Sequence, residues 1–284
     1  PAAHVAMMRD DWCHRLVAGL GLDLMSSRPV SLFLDGEYWG VLTLREEQDP
    51  QYLREHYGLA PSDAVILYGP GAIEEGRAGD DLVFRALRDY AATHDLVVPT
   101  HYDHIRSRLD LDNFILHQLC EVYFANADWP QNNTRVWRRR LAAPDLTQPR
   151  GLDGRWRWLL FDVDLGAGHP WSAGYTENTL AVALSPAGRS GFDTPWATAF
   201  LRALIRNPDF KSAFLNTAAD LLNSSFLPAR AVALVDAMEA ELRPAMDEHL
   251  RRWRSCGGLA STWRERVQVL RAFAQSRAGQ MRQH

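Results

Sequence analysis

The chain has 284 residues, 46% of them apolar and 23% charged, a globular balance that excludes a disordered or collagen-like polymer. Lys plus Arg number 31 against 35 Asp plus Glu, a net charge of −4. That leaves no global basic field for nucleic acid and no polybasic run for a membrane surface.

No apolar stretch approaches the roughly 20 residues that a spanning helix needs, so no transmembrane segment is expected. Three cysteines, Cys13, Cys120 and Cys256, are widely spaced without a C-x-x-C pair, which indicates neither a zinc knuckle nor a disulfide framework. Cys120 sits in an apolar helical pattern and is expected in the core. The chain starts at Pro1, so its first residues are silent on compartment. Lysine occurs once, at Lys211, so almost all the positive charge is arginine.

In chain order, residues 5–24 carry apolar side chains at helical spacing and end at Gly19 and Gly21. Val30–Leu34 and Val41–Leu44 are β-type runs, and Asp35-Gly36 between them is a hairpin turn signal. A short amphipathic helix over 50–58 closes at Gly58, and A-V-I-L-Y at 64–68 reads as a third strand running into Gly69-Pro70-Gly71. Helices follow at 81–93 and 103–125, then the periodicity breaks at N-A-D-W-P-Q-N-N. Strands at 134–139 and 155–161 form a second hairpin. Residues 167–195, rich in Gly, Ser, Thr and Pro, read as a long surface loop. Helices over 196–206, 208–223, 228–253 and 260–282 complete the chain. The expected class is α+β in two unequal lobes: residues 1–100 with the first strands, and a mainly helical 101–284 interrupted by the hairpin at 134–161.

The densest polar cluster in an apolar setting is Asn126, Asp128, Asn132 and Asn133, with Asp162 and Asp164 after the hairpin. Singly, such residues are ordinary turn formers. Together they match a phosphoryl-transfer pattern: D-x-x-x-x-N, whose Asp addresses the acceptor hydroxyl and whose Asn binds metal, followed by a D-x-G whose Asp holds metal against phosphates. Here the first is Asp128 to Asn133 and the second Asp164-Leu165-Gly166, in the order helix, loop, hairpin, D-x-G. Asp162 and Asp164 would alternate on one strand face, where two carboxylates repel unless a cation lies between them. Hard oxygen donors suit Mg²⁺ or Mn²⁺.

The sequence resembles the CotH kinases, a family named for a bacterial spore-coat protein and distantly related to secretory-pathway kinases. The resemblance rests on L-F-L-D-G-E-Y-W-G-V-L-T-L-R-E at 32–46, F-A-N-A-D-W-P-Q-N-N at 124–133 and R-W-R-W-L-L-F-D-V-D-L-G at 155–166, and extends through N-P-D-F-K-S-A-F at 207–214. It implies one atypical kinase-like domain that uses ATP and a divalent metal to phosphorylate Ser or Thr of a partner protein. It further implies Asp128 as the catalytic Asp, Asn133 as a metal-binding amide, and Asp164 or Asp162 as the metal-binding carboxylate. Glu46 matches the family's acidic position after the second strand.

One departure stands out. Many relatives carry a phosphate-binding lysine in an L-Y-K motif, and here I-L-Y-G places Gly69 at that position. An arginine could supply the charge, with Arg45 and Arg77 as the candidates, or backbone N–H groups around Gly69 and Gly71 could cradle phosphate. The alternative reading is a nucleotide-binding pseudokinase or a surface-binding module that lacks the lysine. A third, glycoside hydrolysis by Asp128 with Asp162 or Asp164, draws on the surrounding tryptophans, which more often pack a hairpin.

Overall fold

A computed structural model describes residues 6–186, 196–253 and 260–284, with the side chains of 260 and 261 left aside. Helix α1 (Arg9–Leu16) leads into the hairpin β1 (Ser27–Leu34) and β2 (Glu37–Arg45), followed by α2 (Pro50–Tyr57), β3 (Ala64–Tyr68) and β4 (Ala72–Glu75). Then come α3 (Asp80–Thr93), α4 (Pro99–Arg106), α5 (Leu111–Phe124), β5 (Arg135–Arg139) and β6 (Arg157–Leu159). Five helices finish the described chain: α6 (Thr179–Leu184), α7 (Ala199–Leu204), α8 (Pro208–Leu222), α9 (Pro228–Arg252) and α10 (Ala260–Met281). The class is α+β, as expected. No described helix is long and apolar enough to cross a membrane.

The strands form two separate antiparallel sheets, β1-β2 alone and β4-β3-β5-β6. β3 pairs with β5 in register from Ala64↔Arg139 to Tyr68↔Arg135, so the larger sheet draws strands from both sides of residue 100. Its two faces are covered differently: Val65 and Leu67 enter the main core, while Ala64 and Ile66 meet Tyr52, Leu53, Trp137 and Leu159 in a second cluster under α2. Burial on both faces is why this strand reads as an unbroken apolar run.

The expected helix over 5–24 is shorter, ending at Leu16, and Val5 lies outside the described residues. The expected helix over 103–125 is two helices: Asp110 caps α5 by accepting from the Asn113 N–H at 3.4 Å, because a capping carboxylate offers the first free N–H groups a partner that continuation of α4 would not. Part of the expected loop at 167–195 is α6, and residues 187–195 lie outside the description.

The β1-β2 turn is the two-residue type signalled by Asp35-Gly36, both with positive φ (50° and 82°). Further along, Leu32 pairs with Gly40 and Phe33 with Tyr38, so Trp39 is the extra residue of a bulge. At Gly40 (φ 135°) a Cβ would stand 2.8 Å from His249 Nδ1 and 2.9 Å from Trp253 Nε1. Only glycine lets the end of α9 approach β2 this closely.

Candidate active site

Helix α5 is buried along most of its length and stops at Ala125 in the left-handed conformation (φ 52°). Buried Arg277 of α10 donates to the carbonyls of Val122 (2.5 Å) and Tyr123 (2.8 Å), satisfying the helix's last free acceptors. The loop that follows is tied by its own side chains. Asn126 accepts from the Asp128 N–H (3.1 Å) and donates to buried Glu121 (3.1 Å). Asp128 Oδ1 accepts from Asn132 Nδ2 (2.7 Å) and Oδ2 from Asn133 Nδ2 (3.2 Å). Asp128 is therefore presented as a fixed, partly exposed acceptor.

The second loop, Asp162 to Gly166, docks on the first. Asn133 Nδ2 also donates to the Asp162 carbonyl (2.9 Å), Ala127 N–H to Leu165 O (3.2 Å) and Ala167 N–H to Phe124 O (2.6 Å). A Cβ at Gly166 would lie 2.8 Å from Phe124 O, so the D-x-G glycine is required by this contact. The expectation that Asp162 and Asp164 share a strand face is corrected: β6 ends at Leu159, and Asp162 has φ 51° on irregular backbone. The two carboxyls nevertheless come together. Asp162 is pushed up to about 6, first by desolvation, then by the charges of Asp164, Asp10 and Asp128 and by a hydrogen bond to Asp164.

Two residues that the sequence did not single out hold this loop from behind. In α1, Asp10 Oδ1 accepts from the Val163 N–H (2.7 Å), between the two carboxylates, while Arg9 Nε reaches Ala167 O (3.4 Å). Arg45 of β2 pairs with Asp10 (2.7 Å) and Asp11 (2.9 Å). Burial raises Asp10 to about 6 despite Arg45 and the Val163 bond. An acidic first turn is ordinary helix-dipole chemistry, so nothing local marked Asp10 as part of a site.

Asp10, Asp11, Arg45, Asp162 and Asp164 border one cleft of about 510 Å³, which Met8, Trp39, Val41, His249 and Trp253 also line, while Asp128 and Asn133 lie outside its lining. A family model described as CotH kinase protein matches residues 3–281 of the chain. The chain belongs to the CotH kinase family. No curated protein sequence matches it.

Set against the CotH pattern, the remaining expected residues lie away from the cleft lining. Glu46 accepts from the Ser26 N–H (2.7 Å) and contacts His56 (3.1 Å) at the base of the hairpin, which holds its carboxyl below the usual range. The Gly69 N–H is spent on Thr134 O (2.8 Å) and the Gly71 N–H on Tyr68 O (3.2 Å). Arg85 and Arg88 meanwhile donate to the Gly71 and Pro70 carbonyls. Of the two arginines considered as substitutes for the missing lysine, Arg45 lines the cleft and Arg77 does not.

Among the described residues no three His, Cys, Asp or Glu side chains form a ready cation cage. Two neighbouring carboxylates with the Asn133 amide are instead a hard, incomplete donor set. Such a set suits Mg²⁺ or Mn²⁺ whose remaining ligands are phosphate oxygens and water, and the Asp162 carboxyl is raised first by its burial and then by the neighbouring carboxylates.

Proposed function

We propose that this CotH kinase family protein transfers the γ-phosphoryl group of ATP to a Ser or Thr hydroxyl of a partner protein, with Mg²⁺ or Mn²⁺. The observation that carries the reading is Asn133, whose one amide group bonds both the Asp128 carboxylate and the Asp162 backbone, joining the hydroxyl-handling and metal-handling loops.

Asp128 accepts the hydroxyl proton while the acceptor oxygen bonds to phosphorus and the bond to the β-phosphate bridging oxygen breaks, leaving ADP. Asn132 and Asn133 keep that carboxylate oriented. Asp164, Asp162 and Asn133 would hold the metal, which when bound neutralises charge developing on the phosphoryl oxygens. Arg45 stands in the cleft where a cation is needed, as a planar fork in place of a point charge.

Calorimetry of ATP with Mg²⁺, with Mn²⁺ and without metal, on wild type and Asp164→Asn, tests this. Metal-dependent binding lost in the variant supports it, and no binding under either metal removes it. A second reading, a nucleotide-binding pseudokinase, is favoured by Lys211, which is exposed on α8 and absent from the cleft lining. Tight metal-dependent binding without transfer to any hydroxyl would decide for it.

A further inference from the structure

Strand β2 lines the cleft with Trp39, Val41, Leu42, Thr43 and Arg45, of which Val41, Thr43 and Arg45 share one face by alternation. At its Arg45 end the strand joins Asp10 and the metal-handling loop. About 13 Å away, four residues at about 3.3 Å each, the Val41 N–H donates to His249 Nδ1 at 3.0 Å. The cleft thus runs from a charged end to an aromatic one.

His249 is chemically committed by that bond. Its Nδ1 is the acceptor, and burial lowers its pKa, so the neutral ring carries its proton on Nε2. That Nε2–H has no hydrogen-bond partner among the described residues, and His249 lines the cleft. Beside it stands Trp39, carried out of the ladder by the bulge and 37% exposed. Trp39 is braced edge-on by Trp253 (5.5 Å, 82°), whose Nε1 donates to the Trp39 carbonyl at 2.8 Å. The Arg252 guanidinium also lies over the Trp39 ring, 5.1 Å from its centroid, so a ligand meets only the part of the indole that this cation leaves exposed. An oriented donor beside such an indole is a site for a flat heterocycle bearing an acceptor in its ring plane.

We infer that His249 and Trp39 form the base-recognition subsite for a purine nucleotide, His249 Nε2–H donating to a ring nitrogen of the base and the Trp39 indole covering its face. This rests on the nucleotide reading above and assigns the residues that set base specificity. Both common purines keep unprotonated ring nitrogens as acceptors, and their fused rings cover more of an indole than a pyrimidine does. The ribose and phosphates then follow β2 past Thr43 to Arg45 and Asp164.

Calorimetry in Mn²⁺ with ATP, CTP and inorganic triphosphate separates the subsite from the phosphate site. In His249→Asn the shorter amide can still accept from the Val41 N–H but withdraws the Nε2 donor. ATP is expected to bind this variant about tenfold more weakly, about 1.4 kcal/mol, with triphosphate within about twofold of wild type. Trp39→Leu, a change at a half-exposed position, should show the same selective loss and covers a folding defect at 249. Asp164→Asn should weaken both ligands. ATP affinity unchanged in both His249→Asn and Trp39→Leu, or CTP binding wild type as tightly as ATP, overturns the subsite. Failure of both ATP and triphosphate to bind wild type overturns the nucleotide reading and the subsite with it.

Discussion

Asp128 is held at both oxygens by the side chains of Asn132 and Asn133, so Asp128→Asn keeps the shape of the loop while removing the group able to take a proton. Phosphoryl transfer is expected to fall by about 10² to 10⁴, with ATP affinity changed less than about threefold, because Asp128 is not in the cleft lining. Steady-state transfer and calorimetry on one preparation check both halves. Deeper in the same network, Glu121 is wholly buried, and burial pushes it up to about 8, while His117, one turn before it and 3.8 Å away, is pushed down to about 3. Both are neutral at pH 7, so this is not a salt bridge. The folded value of Glu121 lies above its ordinary 4.5, so the stability it contributes is full below about pH 4.5 and is lost as pH rises toward about 8. Glu121→Gln is expected to gain on wild type across that window, by at most about 1.4 kcal/mol per pH unit, and to run parallel to it above the window. Urea unfolding at pH 5, 6, 7 and 8 reads the difference; a flat difference would mean that Glu121 titrates as it does in the unfolded chain.

At the scale of elements, the site is three backbone segments clamped together, and the clamps explain why short motifs carried so much of the reading. The D-x-G glycine has no room for a side chain: Gly166→Ala would drive a methyl against the Phe124 and Val163 carbonyls. We expect a loss of about 2 kcal/mol, measured by thermal unfolding, together with weaker Mn²⁺-dependent ATP binding as the Asp164 loop shifts. The G-E-Y-W-G motif was legible as a hairpin, but the reason for its second glycine was not. Gly40 answers to His249 and Trp253, more than 200 residues away in a helix whose own pattern says only that it is amphipathic. The Asp10 contact was hidden for the same reason, since the backbone N–H of Val163 that donates to it leaves no trace in residue type. Asp10→Asn keeps an oxygen for the Val163 N–H and loses the charge facing Arg45. The Mn²⁺ concentration giving half-maximal ATP binding is expected to rise about tenfold, the usual size of an outer-shell effect. An unchanged metal requirement would reduce Asp10 to a packing residue. Where sequence reading placed Asp162 and Asp164 on a strand, it followed the apolar run R-W-R-W-L-L-F past the last ladder bond. It reached the right proximity through backbone that is not a strand.

For the whole molecule, the decisive quantity is the charge on the polar wall of the cleft. Asp10, Asp11, Asp162 and Asp164 line it against Arg9 and Arg45, four carboxylates to two guanidiniums. The overall charge of −4 adds no attraction for a nucleoside triphosphate, itself highly anionic. A divalent cation bound between the carboxylates and the phosphates would reverse the sign of that encounter. Chelation is therefore expected to cost at least a hundredfold in ATP affinity, where a wall dominated by arginine would bind free ATP well. Under the proposed function, this wall rather than the turn at Gly69 would receive the phosphates. Gly69 has φ 58°, and a Cβ there would meet only Trp196 at 3.9 Å, so Gly69→Lys has room and carries about 1–2 kcal/mol of backbone strain. Because Gly69 sits at the β3–β4 turn and outside the cleft lining, restoring the lysine should leave metal-dependent ATP affinity within about twofold. Arg45→Ala, which strips one of two cations from the wall, should lower it about tenfold or more. If instead Gly69→Lys strengthens ATP binding or transfer tenfold while Arg45→Ala does little, the phosphates lie at the turn, and the Arg45 wall belongs to the scaffold of the metal loop.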